Sequence, residues 1–167
     1  MINEYTYRTV EKNDIEIISK FPKDEHELFF MFPKADFPLT FEQLEASIDC
    51  RYDSTVILHD KCIVGFANFY EAIERKHCSI GNVIINPIYR GKGAGKYLIE
   101  IMENIAKEKY KASEIHISCF NQNVIGLLLY QKLDYVPFEI EKWIDKKQIC
   151  VALIKMKKEI NTNKVSH

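Results

Sequence analysis

The sequence predicts one mixed α/β domain, in which a strand, a glycine-rich loop, a helix, a strand and a second helix lie between antiparallel pieces. The length of 167 residues falls in the range of a single domain with a substantial core. The apolar positions alternate between strand spacing and helix spacing, without an internal repeat. We therefore expect one domain over residues 1–158 and a frayed tail over residues 159–167.

The first part of the chain contains three predicted elements and one segment without a clear period. The elements are a strand over residues 5–10, a short helix capped by Asn13 or Asp14 and ending near Lys20, and a helix ending near Asp49. Thr40 followed three residues later by Gln43 matches a capping box, which sets the start of the second helix. Residues 21–40 hold three prolines and five phenylalanines and fit neither period.

The rest of the chain shows the alternation most clearly. The predicted elements are strands over residues 54–59 and 62–70 joined at Asp60 and Lys61, a strand over residues 77–86, a helix ending near Tyr110, a strand over residues 114–120, a helix over residues 123–132, and two strands within residues 134–156 around the turn WIDKKQ. The run before Pro87 is apolar and β-branched, as in a buried strand. Tyr97, Leu98, Ile101 and Met102 share one apolar stripe of the helix.

Charge and composition argue against several partners. Lys and Arg total 23 against 24 for Asp and Glu, so the net charge of -1 gives no general attraction for nucleic acid or anionic membranes. No stretch approaches the roughly 18 apolar residues of a spanning helix. The first residues, MINEYTYRTVEKND, lack the apolar core of a signal peptide. We expect a cytoplasmic protein.

The cysteines give no sign of a disulfide framework or a metal site. They are Cys50, Cys62, Cys78, Cys119 and Cys150. Their number is odd, their spacing is wide, and no pair forms CxxC, which argues against both disulfides and zinc. Because most of them lie in apolar strand-like runs, we expect buried free thiols.

The segment YRGKGAGKYLIE lies where a predicted buried strand passes into a helix. Unpaired backbone amides and the helix dipole at such a junction favour an anion. Gly91, Gly93 and Gly95 allow backbone angles and close approaches through which several amides can converge on phosphate oxygens. Three basic side chains add positive charge: Arg90, Lys92 and Lys96.

Two familiar phosphate-binding patterns do not fit this segment. The nucleoside-triphosphatase loop requires a glycine where Arg90 stands and a Ser or Thr where Tyr97 follows Lys96. The dinucleotide fingerprint GxGxxG requires a glycine in place of Lys96. A kinase or triphosphatase is therefore a remote alternative.

A third pattern fits, because NPIYRGKGAGKYL resembles motif A of the GNAT N-acetyltransferases, with Arg90, Gly93 and Gly95 at its defining positions. The segment NQNVIGLLLYQKLDY resembles the second motif of that family through Asn123 and Tyr130. The resemblance covers about residues 62–135. It departs from the family pattern at Gly126, where many members have alanine, and at Leu133-Asp134-Tyr135, where the usual sequence is LGF.

The resemblance implies a twisted mixed sheet of about six or seven strands, with helices on both faces and splayed central parallel strands. It implies acetyl-CoA as co-substrate, with its pyrophosphate on the glycine loop and its pantetheine arm paired along the strand before the loop. The implied contacts are Val83, Ile84, Ile85, Arg90, Gly91, Lys92, Gly93, Ala94, Gly95, Lys96 and Asn123. Asn123 can also cap its helix.

The implied reaction is direct attack of a primary amine on the thioester. An amide near Ile84 or Ile85 would stabilise the oxyanion, and Tyr130 would act as the general acid that assists the leaving thiolate. Serines, Ser79 and Ser118, occupy the positions where family members carry a glutamate base. The candidate bases are instead His77, His116 and Glu71. A water relay, or an amine that is already partly neutral, would remove the need for a base.

The acceptor is expected to contact residues 21–40. This segment carries four aromatic side chains, Phe29, Phe30, Phe32 and Phe37, and four acids, Asp24, Glu25, Glu27 and Asp36, a mixture that suits a cationic amine. The sequence leaves open a small amine, an amino acid, an aminoglycoside or a protein amino terminus. It also leaves open a homodimer and an acyl-CoA-binding sensor or interaction module without catalysis.

Overall fold

The computed structural model describes residues 4–160, which form one seven-stranded sheet with helices on both faces. The strands are β1 (Thr6–Thr9), β2 (Tyr52–His59), β3 (Cys62–Ala72), β4 (His77–Ile85), β5 (Glu114–Phe120), β6 (Val136–Ile144) and β7 (Cys150–Glu159). The helices are α1 (Lys12–Ile18), α2 (Glu25–Met31), α3 (Phe41–Asp49), α4 (Ala94–Tyr110) and α5 (Val124–Lys132). The strand order is β1-β2-β3-β4-β5-β7-β6.

The sheet is mixed, as predicted. Among the described strands, only β4 and β5 pair in parallel, and α4 forms the crossover between them. The other neighbours pair in antiparallel fashion. The predicted strand, glycine loop, helix, strand and helix unit is therefore confirmed, with antiparallel pieces on both sides.

The two central strands diverge at their carboxyl ends. Their parallel pairing runs from His77 to Ile80 on β4 and then stops, although β4 continues to Ile85. The edge of residues 83–85 that would face β5 is thus left without a strand partner in the described part of the chain. This opening confirms the expected splay of the central strands.

A β-bulge on β4 ties the sheet to the helices above it. The β3–β4 register shifts between Phe66 and Asn68, and Asn82 within the shifted stretch has φ 51°. Bulges re-aim side chains. The Asn82 side chain accepts from Ser47 Oγ of α3 at 2.9 Å and donates to the Met31 carbonyl of α2 at 3.1 Å. These bonds fix α2 and α3 over the middle of β4.

Two apolar cores lie on opposite faces of the sheet. The core under α4 and α5 includes Phe69, Ile80, Leu98, Met102 and Tyr135. The core under the first three helices includes Ile18, Leu28, Leu44, Phe66 and Ile84. Burial of each such side chain contributes roughly 1.5–3 kcal/mol. A smaller cluster, Phe29, Phe120 and Val151, connects α2 to the carboxyl end of β5.

Helix α1 begins at Lys12, so neither of the two predicted caps, Asn13 or Asp14, is its N-cap. Its N-cap is Glu11, and Asp14 lies in the first turn. The Asp14 carboxylate accepts from the Glu11 amide at 2.7 Å and pairs with Arg8 at 2.6 Å. Asp14 therefore stabilises the helix start from inside the first turn and is not the cap.

Helix α2 lies within residues 21–40, which the periodicity left unassigned. It has only two turns, bounded by Pro22 and Pro33, so its apolar pattern is too short to be recognised. Asp24 caps it by accepting from the Glu27 amide at 2.9 Å. The pair Asp24 and Glu27 has capping-box spacing, which is the signal that could have located this helix.

Several local predictions are confirmed. Thr40 caps α3 by accepting from the Gln43 amide at 3.3 Å. Asp60 and Lys61 form the β2–β3 turn with φ 47° and 65°. Asp134 takes a left-handed φ of 69°, so it closes α5 in place of the usual glycine.

The prediction of buried cysteines is correct for two of the five. Cys78 and Cys119 are buried, whereas Cys50, Cys62 and Cys150 are exposed. Cys62 and Cys150 are the first residues of their strands and Cys50 caps α3, so these three lie at element ends outside the cores. All five are free thiols.

The folded part of the chain extends two residues further than predicted, through residues 159 and 160. Glu159 is the last residue of β7, and Ile160 is buried and donates its amide to the Ser113 carbonyl at 2.9 Å. The rest of the predicted tail, residues 161–167, lies outside the described residues, as do residues 1–3. Within residues 4–160, no helix is both long enough and apolar enough to cross a membrane.

Candidate active site

The glycine-rich segment forms a bend between β4 and α4. Gly91 and Gly93 have φ 73° and 82°, a left-handed conformation that favours glycine even though a Cβ at either position would meet nothing within 4 Å. Gly93 is the N-cap of α4, so the amides of the first helical turn have no acceptor within the helix. The bend has the backbone geometry that the predicted phosphate site requires.

Gly95 is required for a different reason. It lies inside the first turn of α4, where an added Cβ would come within 3.0 Å of the Leu129 side chain and 4.0 Å of Ile85. The small residue allows α4 to pack closely against α5 beside the end of β4. The glycines thus combine turn formation with close helix packing.

Arg90 is engaged by a neighbouring acid. Its guanidinium pairs with the Glu27 carboxylate of α2, with Nη2 to Oε2 at 3.3 Å, and its Nε donates to the Ile85 carbonyl at 3.2 Å. Burial raises the pKa of Glu27, but hydrogen bonds from Arg90 and from the Lys23 amide outweigh that effect and lower it overall. Lys92 and Lys96 are exposed beside the bend. The Arg90 side chain therefore connects the bend to α2.

Tyr130 reaches into the opening between the splayed strands. It lies on α5, is 6% exposed, and lines a cavity of about 430 Å³ together with Val83, Ser118 and Asn123. Its hydroxyl has no hydrogen-bond partner among the side chains and backbone groups of residues 4–160. Burial raises the pKa of Tyr130, and Cys119 adds to this, so the phenol stays protonated across the physiological range.

Asn123 combines a capping role with a position at the cavity. Its Oδ1 accepts from the Gly126 amide at 3.0 Å, which caps α5. A Cβ on Gly126 would lie 2.7 Å from Asn123 Nδ2. Glycine at position 126, where the family often has alanine, therefore leaves room for the Asn123 side chain to fold back over the helix start.

The cavity extends from Tyr130 to the opposite face of β4, beneath α2. Its apolar and aromatic lining includes Phe30, Phe32, Tyr70, Ile80, Phe120, Trp143 and Leu153. Its charged lining consists of Lys34, Arg51 and Lys155. No Asp, Glu or His of the described chain lines it, so the cavity is aromatic and cationic.

The expected acidic acceptor site does not form in this cavity. Asp24 caps α2, and Glu27 binds Arg90. Glu25 and Asp36 line a separate cavity of about 290 Å³ near the β6–β7 turn, and Asp36 pairs there with Lys146 at 2.8 Å. Of the four phenylalanines, Phe30 and Phe32 line the Tyr130 cavity, whereas Phe29 stacks on Phe120 at 4.3 Å and Phe37 lines the separate cavity.

The three candidate bases lie together but outside the Tyr130 cavity. His77 and His116 stack with ring centroids 4.2 Å apart near the amino ends of β4 and β5. His77 Nε2 bonds to the Glu71 carboxylate, and His116 Nε2 bonds to the Glu114 carboxylate at 2.8 Å. None of them lines the cavity. The structure therefore does not bring these side chains to Tyr130.

Arg51 is a cavity residue that the sequence alone did not indicate. It lies in the short connection between α3 and β2, where a polar residue looks like an ordinary turn residue. Its Nη1 donates to Asn68 Oδ1 at 3.1 Å, and its Cζ lies 5.7 Å from the ring centroid of Tyr70. No carboxylate of the described residues forms an ion pair with it. No local sequence signal marks it, because its partners are 17 or more residues away.

The sequence comparisons agree with this architecture. The model of the acetyltransferase (GNAT) family matches residues 17–135. A spermine/spermidine N(1)-acetyltransferase of Bacillus subtilis (strain 168) is 27% identical over 99 residues, which cover 55% of this chain. The aligned part covers 65% of that relative, slightly less than two thirds of its length.

Solved structures share the fold. A spermidine N-acetyltransferase from Vibrio cholerae, in complex with CoA and spermine, superposes with a TM-score of 0.77 at 18% identity, covering 93% of this chain and 95% of its own. The protein yncA from Salmonella typhimurium, with its cofactor acetyl-CoA, superposes with a TM-score of 0.71 at 18% identity and covers 98% of both chains. At these identities the likeness shows the fold alone.

Proposed function

The chain belongs to the GNAT family of acetyltransferases, and on that premise we propose that it transfers an acetyl group from acetyl-CoA to a primary amine by direct attack in a ternary complex. One observation carries the proposal: the strand whose Val83 lines a cavity with Tyr130 leads, through one short 3-10 turn at Pro87–Tyr89, into the left-handed glycine bend. The same strand, β4, therefore leads to the proposed anion-binding bend and lines the cavity that contains the protonated phenol of Tyr130.

The residues present fit acetyl-CoA. The amides of residues 91–96 at the start of α4 would hold the pyrophosphate, and the open edge of residues 83–85 would pair with the pantetheine arm. Asn123 would contact the same ligand through its Nδ2, because its Oδ1 is used as a cap. When bound, acetyl-CoA supplies the thioester that the amine attacks.

The cavity favours the neutral, nucleophilic form of the amine. A free primary amine has a pKa near 10 and is mostly protonated at neutral pH. Positive charges nearby lower the pKa of an amine, and the charged lining of this cavity is cationic. We therefore assign proton removal to water and give no role as base to His77, His116 or Glu71, which lie outside the cavity.

Two groups of the chain are assigned to the charges that develop during transfer. A backbone amide at Ile84 or Ile85 would donate to the thioester oxygen, a type of donor whose loss typically costs 10²–10³-fold in rate. The Tyr130 hydroxyl would donate to the departing sulfur. Its raised pKa keeps the donor protonated until the thiolate forms.

An acyl-CoA-binding sensor without catalysis is the second candidate. The observation in its favour is that the cavity lacks a carboxylate or imidazole base within the described residues. Such a protein would bind acetyl-CoA through the same bend and strand edge. It would release no CoA in the presence of amines.

The test is incubation of the purified protein with acetyl-CoA and a panel of amines, with free thiol as the readout and calorimetry for CoA binding. The panel includes polyamines, because the curated relative is a spermine/spermidine acetyltransferase. Thiol release that depends on an amine supports the transferase. CoA binding without release on any amine supports the sensor, and absence of CoA binding rejects both.

A further inference from the structure

The cavity carries an unpaired guanidinium that acetyl transfer alone does not use. Resting on the proposed function, we propose that the acceptor carries an acidic group close to its amine, and that Arg51 binds this group. The acceptor class is an amino acid with an apolar or aromatic side chain. Arg51 is thereby the specificity-determining residue.

The first support is the charge balance of the cavity. Among its three cations, Lys155 is already paired with Glu139 at 3.1 Å and Glu141 at 3.0 Å. Lys34 lies at the exposed rim. Arg51 is partly buried and has no carboxylate partner in residues 4–160. An acidic ligand would supply the missing negative charge.

The second support is that Arg51 is held in place by a buried amide network. Asn68 is 0% exposed and donates through Nδ2 to Asn82 Oδ1 at 3.0 Å, which leaves its Oδ1 to accept from Arg51 Nη1. A guanidinium has five N–H donors, and one of them is used here within the described residues. The remaining donors are available for two parallel bonds to a carboxylate.

Gly81 keeps the space that Arg51 occupies. A Cβ at this position would lie 2.6 Å from Arg51 Nη1 and 2.9 Å from the Tyr70 ring. The absence of a side chain on β4 therefore allows the guanidinium to lie over the strand. Burial lowers the pKa of Arg51, the direction expected for a cation without an adjacent carboxylate.

The position of Arg51 relative to the thioester limits the acceptor. Arg51 lies over Gly81, and the amide proposed to hold the thioester oxygen is that of Ile84 or Ile85, three or four residues or roughly 10–13 Å further along the strand. The acid and the amine must therefore both lie within one small acceptor, as they do in an amino acid. The aromatic lining by Phe30 and Trp143 suits an apolar side chain.

The same charges disfavour a polyamine. Spermine and spermidine would bring further ammonium groups into a cavity that holds the guanidinium of Arg51, which has no carboxylate partner in residues 4–160, whereas the charge of Lys155 is compensated by Glu139 and Glu141. Like charges at such distances repel. This chain is thus expected to differ in acceptor from the curated relative that it matches.

The experiment compares three probes that differ in charge: L-methionine, the corresponding amino alcohol L-methioninol, and spermidine. The amino alcohol keeps the amine and the side chain but lacks the carboxylate. We expect kcat/KM for methionine to exceed that for methioninol by at least tenfold, and spermidine to be the poorest acceptor. The R51Q variant should bring the acid-to-alcohol ratio close to one.

Two control variants and the rate with methioninol separate recognition from folding. R75Q changes an exposed arginine of the β3–β4 turn and should leave the ratio unchanged. R51K keeps the positive charge but loses the bidentate geometry of the guanidinium, so it should restore part of the preference for methionine over methioninol. A general folding defect in R51Q would lower both rates, whereas loss of recognition lowers the rate with methionine and spares that with methioninol.

A binding measurement keeps the inference testable without turnover. Trp143 is the single tryptophan of the chain and lines the cavity, so its fluorescence reports ligand binding directly. If no amine is acetylated, acetyl transfer is refuted, yet a methionine-dependent fluorescence change that R51Q abolishes still supports the acid site. Any one of three results overturns the inference. They are a preference for methioninol or spermidine over methionine, an acid-to-alcohol ratio that R51Q leaves unchanged, and the absence of a fluorescence response to methionine.

Discussion

The guanidinium of Arg90 donates hydrogen bonds to the carboxylate of Glu27, and this pair joins the glycine bend to helix α2. Because α2 ends at Met31, beside Phe30 and Phe32 of the cavity wall, the pair connects the proposed cofactor site with the proposed acceptor site. Binding of CoA at the bend can thus influence the position of the cavity wall that Phe30 and Phe32 form.

The E27Q substitution tests that connection. We expect KM for both acetyl-CoA and the acceptor to rise, because α2 and the bend lose their common contact, with a stability loss of about 1 kcal/mol for a partly exposed pair. The control is E16Q, which removes an exposed pair with Lys20 and should change neither KM. A normal KM for both substrates in E27Q would contradict the connection.

The stability effect of E27Q should also depend on pH. The pKa of Glu27 is lower in the folded protein than the ordinary 4.5, so the carboxylate stabilises the fold at pH above that value. As the pH falls through the folded pKa, wild type should lose this contribution and the difference from E27Q should shrink. Denaturant unfolding at pH 7 and at lower pH measures the difference in free energy of unfolding between wild type and E27Q. A difference that does not change with pH would refute the assignment.

Exchanging Tyr130 for phenylalanine tests the leaving-group donor. The Y130F variant should lower kcat by 10²-fold or more, in the range of general-acid effects, while the affinity for acetyl-CoA changes little. Y52F removes an exposed hydroxyl and should behave as wild type. An unchanged kcat in Y130F would remove Tyr130 from the mechanism.

Two substitutions at Gly93 separate backbone shape from charge. Asparagine tolerates the left-handed conformation that Gly93 adopts at φ 82°, so G93N should retain much of the affinity for CoA. G93D has nearly the same shape but places an anion at the proposed pyrophosphate site. We expect its Kd for CoA to be at least tenfold higher than that of G93N, with the gap reduced by salt. Equal Kd values would place the pyrophosphate elsewhere.

A double-mutant cycle tests the fit of Gly126 against Asn123. The G126A change gains roughly 0.5–1 kcal/mol of helix propensity but displaces the Asn123 cap, which is worth about 1 kcal/mol. G126A should therefore be close to neutral in wild type and stabilising in the N123A background. Thermal unfolding of the four proteins measures the coupling, and additive effects would show that the cap does not depend on the glycine.

The local features of the site could be read from the sequence because each depends on neighbours along the chain. Gly91 and Gly93 indicate a left-handed bend because they lack a side chain. Asn123 directly precedes the helix that it caps. The order of strands and helices follows from apolar spacing. Helix α2 was not predicted, because its two turns are too short for the spacing of apolar residues to show a helical period.

The amino-acid sequence by itself determined the mixed α/β order, the glycine bend and the helix that carries Tyr130, since these depend on spacing and on local backbone preference. Only the tertiary structure decided that Arg90 binds Glu27, that the two histidines lie apart from the cavity, and that Arg51 enters it. Such contacts join residues far apart in the chain, here through a bulged and splayed sheet. Their geometry is set by how the elements pack, which no short stretch of sequence encodes.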